Sequence, residues 1–222
     1  MEPVSSLPPR HGGNLIEESH RLGVDISQLL DASASIVPFP TPVEIIDCLL
    51  KEVSNGSVRN YPDRSHRKLR HAISSFHKID ANMVLPGNGA SELLTWVAHD
   101  AAKVGLSGLP CPGFGDYSRA LRCWDAEYTS LKLPLTWSNN TPQSFLLQPK
   151  SDVIWITNPH NPTGQLWSKD SLKKLLENHK LVICDEAFLP LVPNGEEQSL
   201  IPLIHDNSNL IIIRSLTKLF AI

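Results

Sequence analysis

The chain has 222 residues, with 23 acidic against 20 basic side chains and a formal net charge of −3. Hydrophobic residues at 41% and charged residues at 19% exclude a disordered chain. The lack of a basic excess speaks against nucleic acid as a partner. The length suits one large domain or two small ones, with enough surface buried to make a core.

The opening residues MEPVSSLPPRHGGN hold no apolar stretch of the signal-peptide kind. Asn14 with Glu17 three residues on forms a capping box, which predicts a helix to about Leu22. Thr41-Pro42-Val43-Glu44 predicts a second helix start, with Thr41 as cap and Pro42 at the first helical position. Val43, Ile46, Leu50 and Val53 then share one face, and Asn55-Gly56 should end the helix. A third helix is expected from about Ser65, with Leu69, Ile73 and Phe76 on one side.

The pattern then changes. Met83-Val84-Leu85 is a short apolar run ending at Pro86-Gly87-Asn88-Gly89, and a helix follows from about Ala90 to Val104. Residues 152 to 157 form an apolar, β-branched run, 168 to 178 a helix, and 181 to 184 and 210 to 213 two more short apolar runs. Continuous apolar strands alternating with amphipathic helices predict a mostly parallel sheet covered on both faces, a three-layer αβα domain. Residues 1–75 read as an N-terminal arm with helices, and 76–222 as the large domain. No apolar run approaches the ~20 residues that cross a bilayer, so the expected protein is soluble. The four cysteines, Cys48, Cys111, Cys123 and Cys184, lack metal-ligand spacing. They are expected to be reduced, buried thiols in the cytoplasm.

Three segments carry chemistry. Asn158-Pro159-His160-Asn161-Pro162-Thr163-Gly164 follows an expected strand, and its prolines and Gly164 stiffen a loop able to hold the Asn161 amide in one orientation. Asp185 stands at the end of the next apolar run, where open α/β sheets bind ligands. Alone it would more often be a cap or a salt-bridge partner. Lys218, in Ser215-Leu216-Thr217-Lys218 after the last strand, could attack a carbonyl; alone it would be a solvated surface lysine.

Together, in this order, the three segments resemble the fold type I aminotransferases, which use pyridoxal 5′-phosphate (PLP). Further segments resemble the threonine-phosphate decarboxylase branch, which supplies the aminopropanol phosphate linker of cobalamin. These are His11-Gly12-Gly13-Asn14, Asp31 to Ile36, Tyr61-Pro62-Asp63, Gly87 to Glu92 and Pro112-Gly113-Phe114. The resemblance covers nearly the whole chain. It implies that Lys218 carries PLP covalently and moves the proton at the substrate Cα, and that Asp185 pairs with the pyridine nitrogen. It also implies that Asn161 bonds the ring's phenolic oxygen and that Phe114 stacks on the ring. The amides of Ala90 and Ser91, with the hydroxyls of Ser215 and Thr217, would hold the cofactor phosphate. Tyr61 would reach the phosphate of a partner subunit, implying a homodimer. His11, Gly12, Gly13, Asn14 and Ser35 would lie near the phosphate of an amino-acid phosphate substrate. No metal or membrane partner is implied.

Phe188 stands where many aminotransferases carry tyrosine, which leans toward the decarboxylase branch. The alternatives are a histidinol-phosphate-type aminotransferase or a non-catalytic fragment of either. In the family a small C-terminal domain carries the arginine for the substrate carboxylate. This chain ends four residues after Lys218, on Leu219-Phe220-Ala221-Ile222. The expectation is therefore an incomplete large domain, inactive by itself.

Overall fold

The computed structural model describes residues 12–135, 141–147 and 150–222. Helix α1 (Leu15–Leu22) begins as expected: the Asn14 side chain accepts from the Glu17 amide at 3.2 Å and donates to the Glu17 carboxylate at 2.6 Å. Helix α2 (Val43–Ser54) departs from expectation at its start. Pro42 is the cap residue, and the Thr41 hydroxyl donates instead to the carbonyl of Ala221 at 3.1 Å, tying the arm to the far end of the chain. Helix α3 spans Arg67–His77, and the Arg70 guanidinium donates to the Ala81 carbonyl at 2.9 Å. The apolar run at Met83 does not become a strand. Asp80 caps the amide of Asn82, and a single 3-10 turn forms over Ala81–Met83. Helix α4 (Gly89–Val104) follows.

Then come β1 (Ser107–Cys111), α5 (Asp116–Arg122), β2 (Tyr128–Lys132) and β3 (Val153–Thr157). Helices α6 (Lys169–Lys173) and α7 (Leu175–Asn178) replace the single helix expected over 168 to 178. Strands β4 (Leu181–Asp185) and β5 (Leu210–Ile213) and the short helix α8 (Thr217–Phe220) complete the order. Strands β1 and β2 and helix α5 are not among the expected elements. The reason is composition: β1 is Ser-Gly-Leu-Pro-Cys, and β2 alternates between exposed and half-buried residues.

The five strands form one parallel sheet in the order β2-β1-β3-β4-β5. Successive side chains on a strand point to opposite faces. Val153 and Trp155 of β3, Leu181 and Ile183 of β4, and Ile213 of β5 pack with Leu94, Ala98, Ala101, Tyr117 and Leu121 of α4 and α5. Ile154, Ile156, Val182, Cys184 and Leu210 pack with Leu172, Leu175 and Leu176 of α6 and α7. Every residue of β3 and β4 is buried because both faces are covered. This is the three-layer αβα arrangement the sequence predicts.

The arm is different. Ser74 is the one buried residue among the described positions before Leu94, and Val43, Ile46, Leu49, Leu50 and Val53 of α2 are all exposed. The cysteines also depart from expectation. All are free, but only Cys184 is buried; Cys48, Cys111 and Cys123 are exposed. They sit in the arm, at the end of β1 and just past α5, where the covering layers stop. No helix among the described residues is long and apolar enough to cross a membrane.

Candidate active site

Strand order reverses beside β1: the chain runs from β1 outward to β2, then returns to place β3 on the other side. Open α/β sheets bind ligands outside the carboxyl ends of strands at such a reversal. Here the two strands also part. The amide of Ser107 donates to Glu127 and the carbonyl of Cys111 accepts from Leu133, so these residues of β1 face β2. Gly108 and Pro110 therefore face β3. Proline has no N–H to give. Pairing between β1 and β3 covers only Ser107↔Val153 and Gly108↔Ile154. Beyond them the pairing stops, and the chain continues from β1 into the loop of Phe114 and from β3 into that of Asn161.

Four of the expected site residues come from loops and strand ends at this edge. Asp185 ends β4 in register with Thr157 of β3 and Ile213 of β5. It continues the face of Leu181 and Ile183, so its carboxylate points toward α5. There Tyr117, on the first turn of α5, donates to its Oδ2 at 2.9 Å, and the Ala187 amide donates to Oδ1 at 3.0 Å. The Tyr117 oxygen lies 2.7 Å from the Thr157 hydroxyl. Since Tyr117 donates to Asp185, Thr157 donates to Tyr117. Burial raises the Asp185 pKa above the ordinary carboxylate value, while the Ala187 amide, Tyr117 and the charge of Lys218 pull the other way. Burial, then the charge of Asp185, pushes the Tyr117 phenol well above its usual value.

Phe114 packs edge-on against Tyr117, with ring centroids 5.4 Å apart at 84°. Lys218 is close enough for its charge to act on Asp185, and its ammonium is 5.6 Å from the Phe188 ring centroid. Tyr117 thus touches both the expected ring-stacking residue and the expected anion. Sequence reasoning missed it; the only signal was an aromatic residue three positions after Phe114, at the start of an unrecognised helix.

The Asn161 loop is locked from below. Asn158, fully buried, exchanges hydrogen bonds with the backbone of Trp167: its amide donates to the carbonyl at 3.1 Å and its oxygen accepts at 2.8 Å. The His160 amide donates to Gln165 O, and the Gly164 amide donates to His160 O, both at 2.7 Å. Gly164 takes φ +75, the reversal expected of it. Asn161 itself is half-buried and its amide has no hydrogen-bond partner among the described residues. The hydroxyls of Ser215 and Thr217 are in the same condition.

Ala90 and Ser91 open α4, where N–H groups have no carbonyl of their own helix to bond. Ser91 donates to Asp116 at 3.0 Å, which fixes the start of α4 against the start of α5, and Ala90 packs on the same core as Phe114.

Two groups of expected residues are not brought to this edge by any described contact. Tyr61 is 100% exposed. Gly12, Gly13 and Asn14 line a cleft of about 430 Å³ within the arm, together with Arg21, Asp31 and Ser33. A side chain at Gly12 would meet the Ser33 carbonyl at 2.1 Å, and the Gly13 amide donates to the Ser33 hydroxyl at 2.9 Å. These glycines therefore pack one arm segment on another, and Asn14 caps α1. Ser35 is exposed and outside that cleft. His11 lies outside the described residues.

The residues at the sheet edge fit a phosphorylated, nitrogen-containing aromatic ring. The buried carboxylate is short of counter-charge, which a protonated ring nitrogen provides. The amides of Ala90 and Ser91 and the unpartnered hydroxyls suit a phosphate, and the Asn161 amide suits a ring oxygen. No group of acidic, histidine or cysteine side chains among the described residues could hold a metal ion.

Tyr117→Phe keeps the packing on Phe114 and Trp155 and removes one hydroxyl. The expected result is a loss of about 1–3 kcal/mol in folding stability, because Asp185 and Thr157 each lose a buried partner. The Asp185 carboxyl should also move further above its ordinary value. Denaturant unfolding checks the first, and a carbon NMR titration of the carboxyl checks the second.

The family model for aminotransferase class I and II matches residues 27–222. The chain is 34% identical over 218 residues to the threonine-phosphate decarboxylase of Salmonella typhimurium, covering 96% of this chain and 58% of that protein. It is 29% identical over 182 residues to a histidinol-phosphate aminotransferase of Leuconostoc mesenteroides, covering 78% of this chain and 50% of that one. In structure it is similar to the histidinol-phosphate aminotransferase of Sinorhizobium meliloti in complex with PLP, at a TM-score of 0.75 and 17% identity, covering 99% of this chain and 60% of that one. The chain spans somewhat more than half the length of the first two relatives it matches among curated proteins, both threonine-phosphate decarboxylases by name.

Proposed function

This chain belongs to the aminotransferase class I and II family, and on that premise we propose that it is the large domain of a PLP-dependent decarboxylase acting on threonine phosphate. The observation that carries the reading is the 34% identity to a threonine-phosphate decarboxylase across 96% of the chain. Bound PLP would supply an electron-withdrawing ring able to accept the electrons of a broken bond at the substrate Cα.

The chain's own residues have separate tasks in this reading. Lys218 holds the cofactor and moves the proton at Cα. Asp185 keeps the ring nitrogen protonated, and Tyr117 with the Ala187 amide keeps Asp185 aimed and ionised once that charge is present. Phe114 covers one ring face. Asn161 holds the ring oxygen. Ala90, Ser91, Ser215 and Thr217 hold the phosphate. Residues 1–75 make up the arm and residues 76–222 the cofactor domain in this reading, and Gly12, Gly13, Asn14 and Ser35, with His11, serve the substrate phosphate.

Homodimerisation is part of the same reading. The exposed apolar residues of α2 support it, as does the full exposure of Tyr61, which is free to reach another subunit. The free, exposed cysteines support a reducing compartment, the cytoplasm.

The test supplies PLP and threonine phosphate to the chain joined to the C-terminal part of a longer relative, and follows carbon dioxide release beside amino transfer to 2-oxoglutarate. Release without transfer is expected of the joined chain, and no useful turnover of the 222 residues alone. Transfer with histidinol phosphate and no release would move the chain to the aminotransferase reading.

A further inference from the structure

The site uses one face of the strand ends and leaves a second charged group on the other. Glu186 follows Asp185 and points the opposite way. It is 0% exposed. Its carboxylate accepts from the Ser199 hydroxyl at 2.8 Å, the Leu200 amide at 2.8 Å and Arg214 Nε at 3.0 Å, and Arg214 Nη2 is 2.7 Å away. Arg214 follows β5 on that same opposite face. Its two Nη groups also donate to both oxygens of Glu196, at 2.6 and 2.9 Å, and Nη2 donates to the Ser199 hydroxyl at 3.0 Å. None of these residues touches the site itself.

Their position along the chain is informative. The Glu186 amide donates to the Ile213 carbonyl at 2.9 Å, which continues the β4–β5 ladder by one bond. Past that bond the two chains leave the sheet. They remain joined by the Glu186–Arg214 ion pair, and two to four residues further by the contact of Phe188 with Lys218 at 5.6 Å. A buried ion pair is a poor device for stability alone, since apolar residues of similar volume would serve as well. It does impose one geometry, and the planar guanidinium fork engages two carboxylates in fixed directions.

We propose that Glu186 and Arg214 form a latch that positions Lys218: by pinning the segment after β5 to the segment after β4, they hold the Lys218 amine over Phe188 and beside Asp185. Arg214 and Glu186 are positioning residues. They act through the backbone from Arg214 to Lys218 and touch neither ligand nor reacting atoms. The use to which Lys218 is put rests on the PLP reading above, whereas the latch is a property of the chain without cofactor.

The experiment uses the protein free of PLP. Lysines are acetylated with a trace of acetic anhydride, and the rate at each is read by mass spectrometry against exposed Lys103 and Lys132 as internal references. Glu186→Gln keeps the side-chain volume and can keep the Ser199 and Leu200 bonds, but removes the charge that holds Arg214. Arg214→Met removes both ion pairs and keeps the aliphatic stem. In each folded variant Lys218 should be labelled about two- to fivefold faster than in the parent, the release expected for a contact of cation–π strength. Lys103 and Lys132 should not change. A role in overall stability alone would leave Lys218 at the parental rate in the folded protein, and that result overturns the proposal. If Arg214→Met does not fold, Glu186→Gln decides. If Glu186→Gln itself fails to fold, the pair serves the whole core and the proposal is equally overturned. Failure of the PLP reading would show separately, as borohydride-trapped cofactor on a lysine other than Lys218.

Discussion

Lys218→Ala abolishes the borohydride-stable attachment of PLP to the protein. Parent chain treated with PLP and borohydride should carry the label on the peptide containing Lys218, and the variant should carry none above background. The reason is placement. Lys218 is the lysine whose charge acts on buried Asp185, at the carboxyl edge of a parallel sheet where ligands bind. In the chain joined to the C-terminal part of a longer relative, turnover should fall by about 10²–10⁴-fold or more, because the same amine would move the proton at Cα. Label found on another lysine in the parent, with Lys218 unmodified, would remove Lys218 from the chemistry and with it the proposed function.

In the same joined chain, Asp185→Asn should leave PLP attached through Lys218 and still cost most of the turnover. A neutral amide cannot balance a ring cation. Removing one partner of a buried charge pair costs about 3–5 kcal/mol, or about a hundredfold to a few thousandfold in rate. Turnover at the parental rate would show that Asp185 has no part in the chemistry. The same variant has a second expected effect, on the protein without cofactor. Burial raises the Asp185 pKa in the folded state. The folded state therefore holds this proton more tightly than the unfolded state does. The stability gained is complete below the unfolded value and is lost as pH rises through the folded value. The substituted amide does not titrate, so the variant should gain on the parent in unfolding free energy between acid and neutral pH. Denaturant unfolding at both pH values measures the difference. A difference independent of pH would show that Asp185 titrates normally.

Much of the fold is legible because its signals are local. The Asn14 and Glu17 capping box, the continuous apolar run of β3 and the helix of residues 89–104 depend on neighbours in sequence. What escapes is set by distant packing. β1 contains glycine and proline and does not read as a strand, yet it pairs with both β2 and β3, and its pairing with β3 stops before Pro110. Local pattern assigns the α2 cap to Thr41, whose hydroxyl reaches Ala221 across 180 residues instead. Met83 lies in an apolar run, but Asp80 caps a turn there, and among the described residues no strand pairs with it.

By itself the sequence singled out, through the order of three segments and their resemblance to a family, the groups proposed to meet a PLP-like ring: Asn161, Asp185 and Lys218, each placed just after a strand or at its end. Their order and spacing are written in the chain, and strand ends in a parallel sheet share one edge. Only the tertiary structure decided how those groups are held. Alternation along β4 and β5 sends Asp185 toward Tyr117 and sends Glu186 and Arg214 to the opposite face. Hydrogen bonds between Tyr117 and Asp185, 68 residues apart, and between Glu186 and Arg214, 28 apart, follow from strand order and register. Neither order nor register is visible in a run of apolar residues, because every parallel strand buried on both faces presents the same pattern.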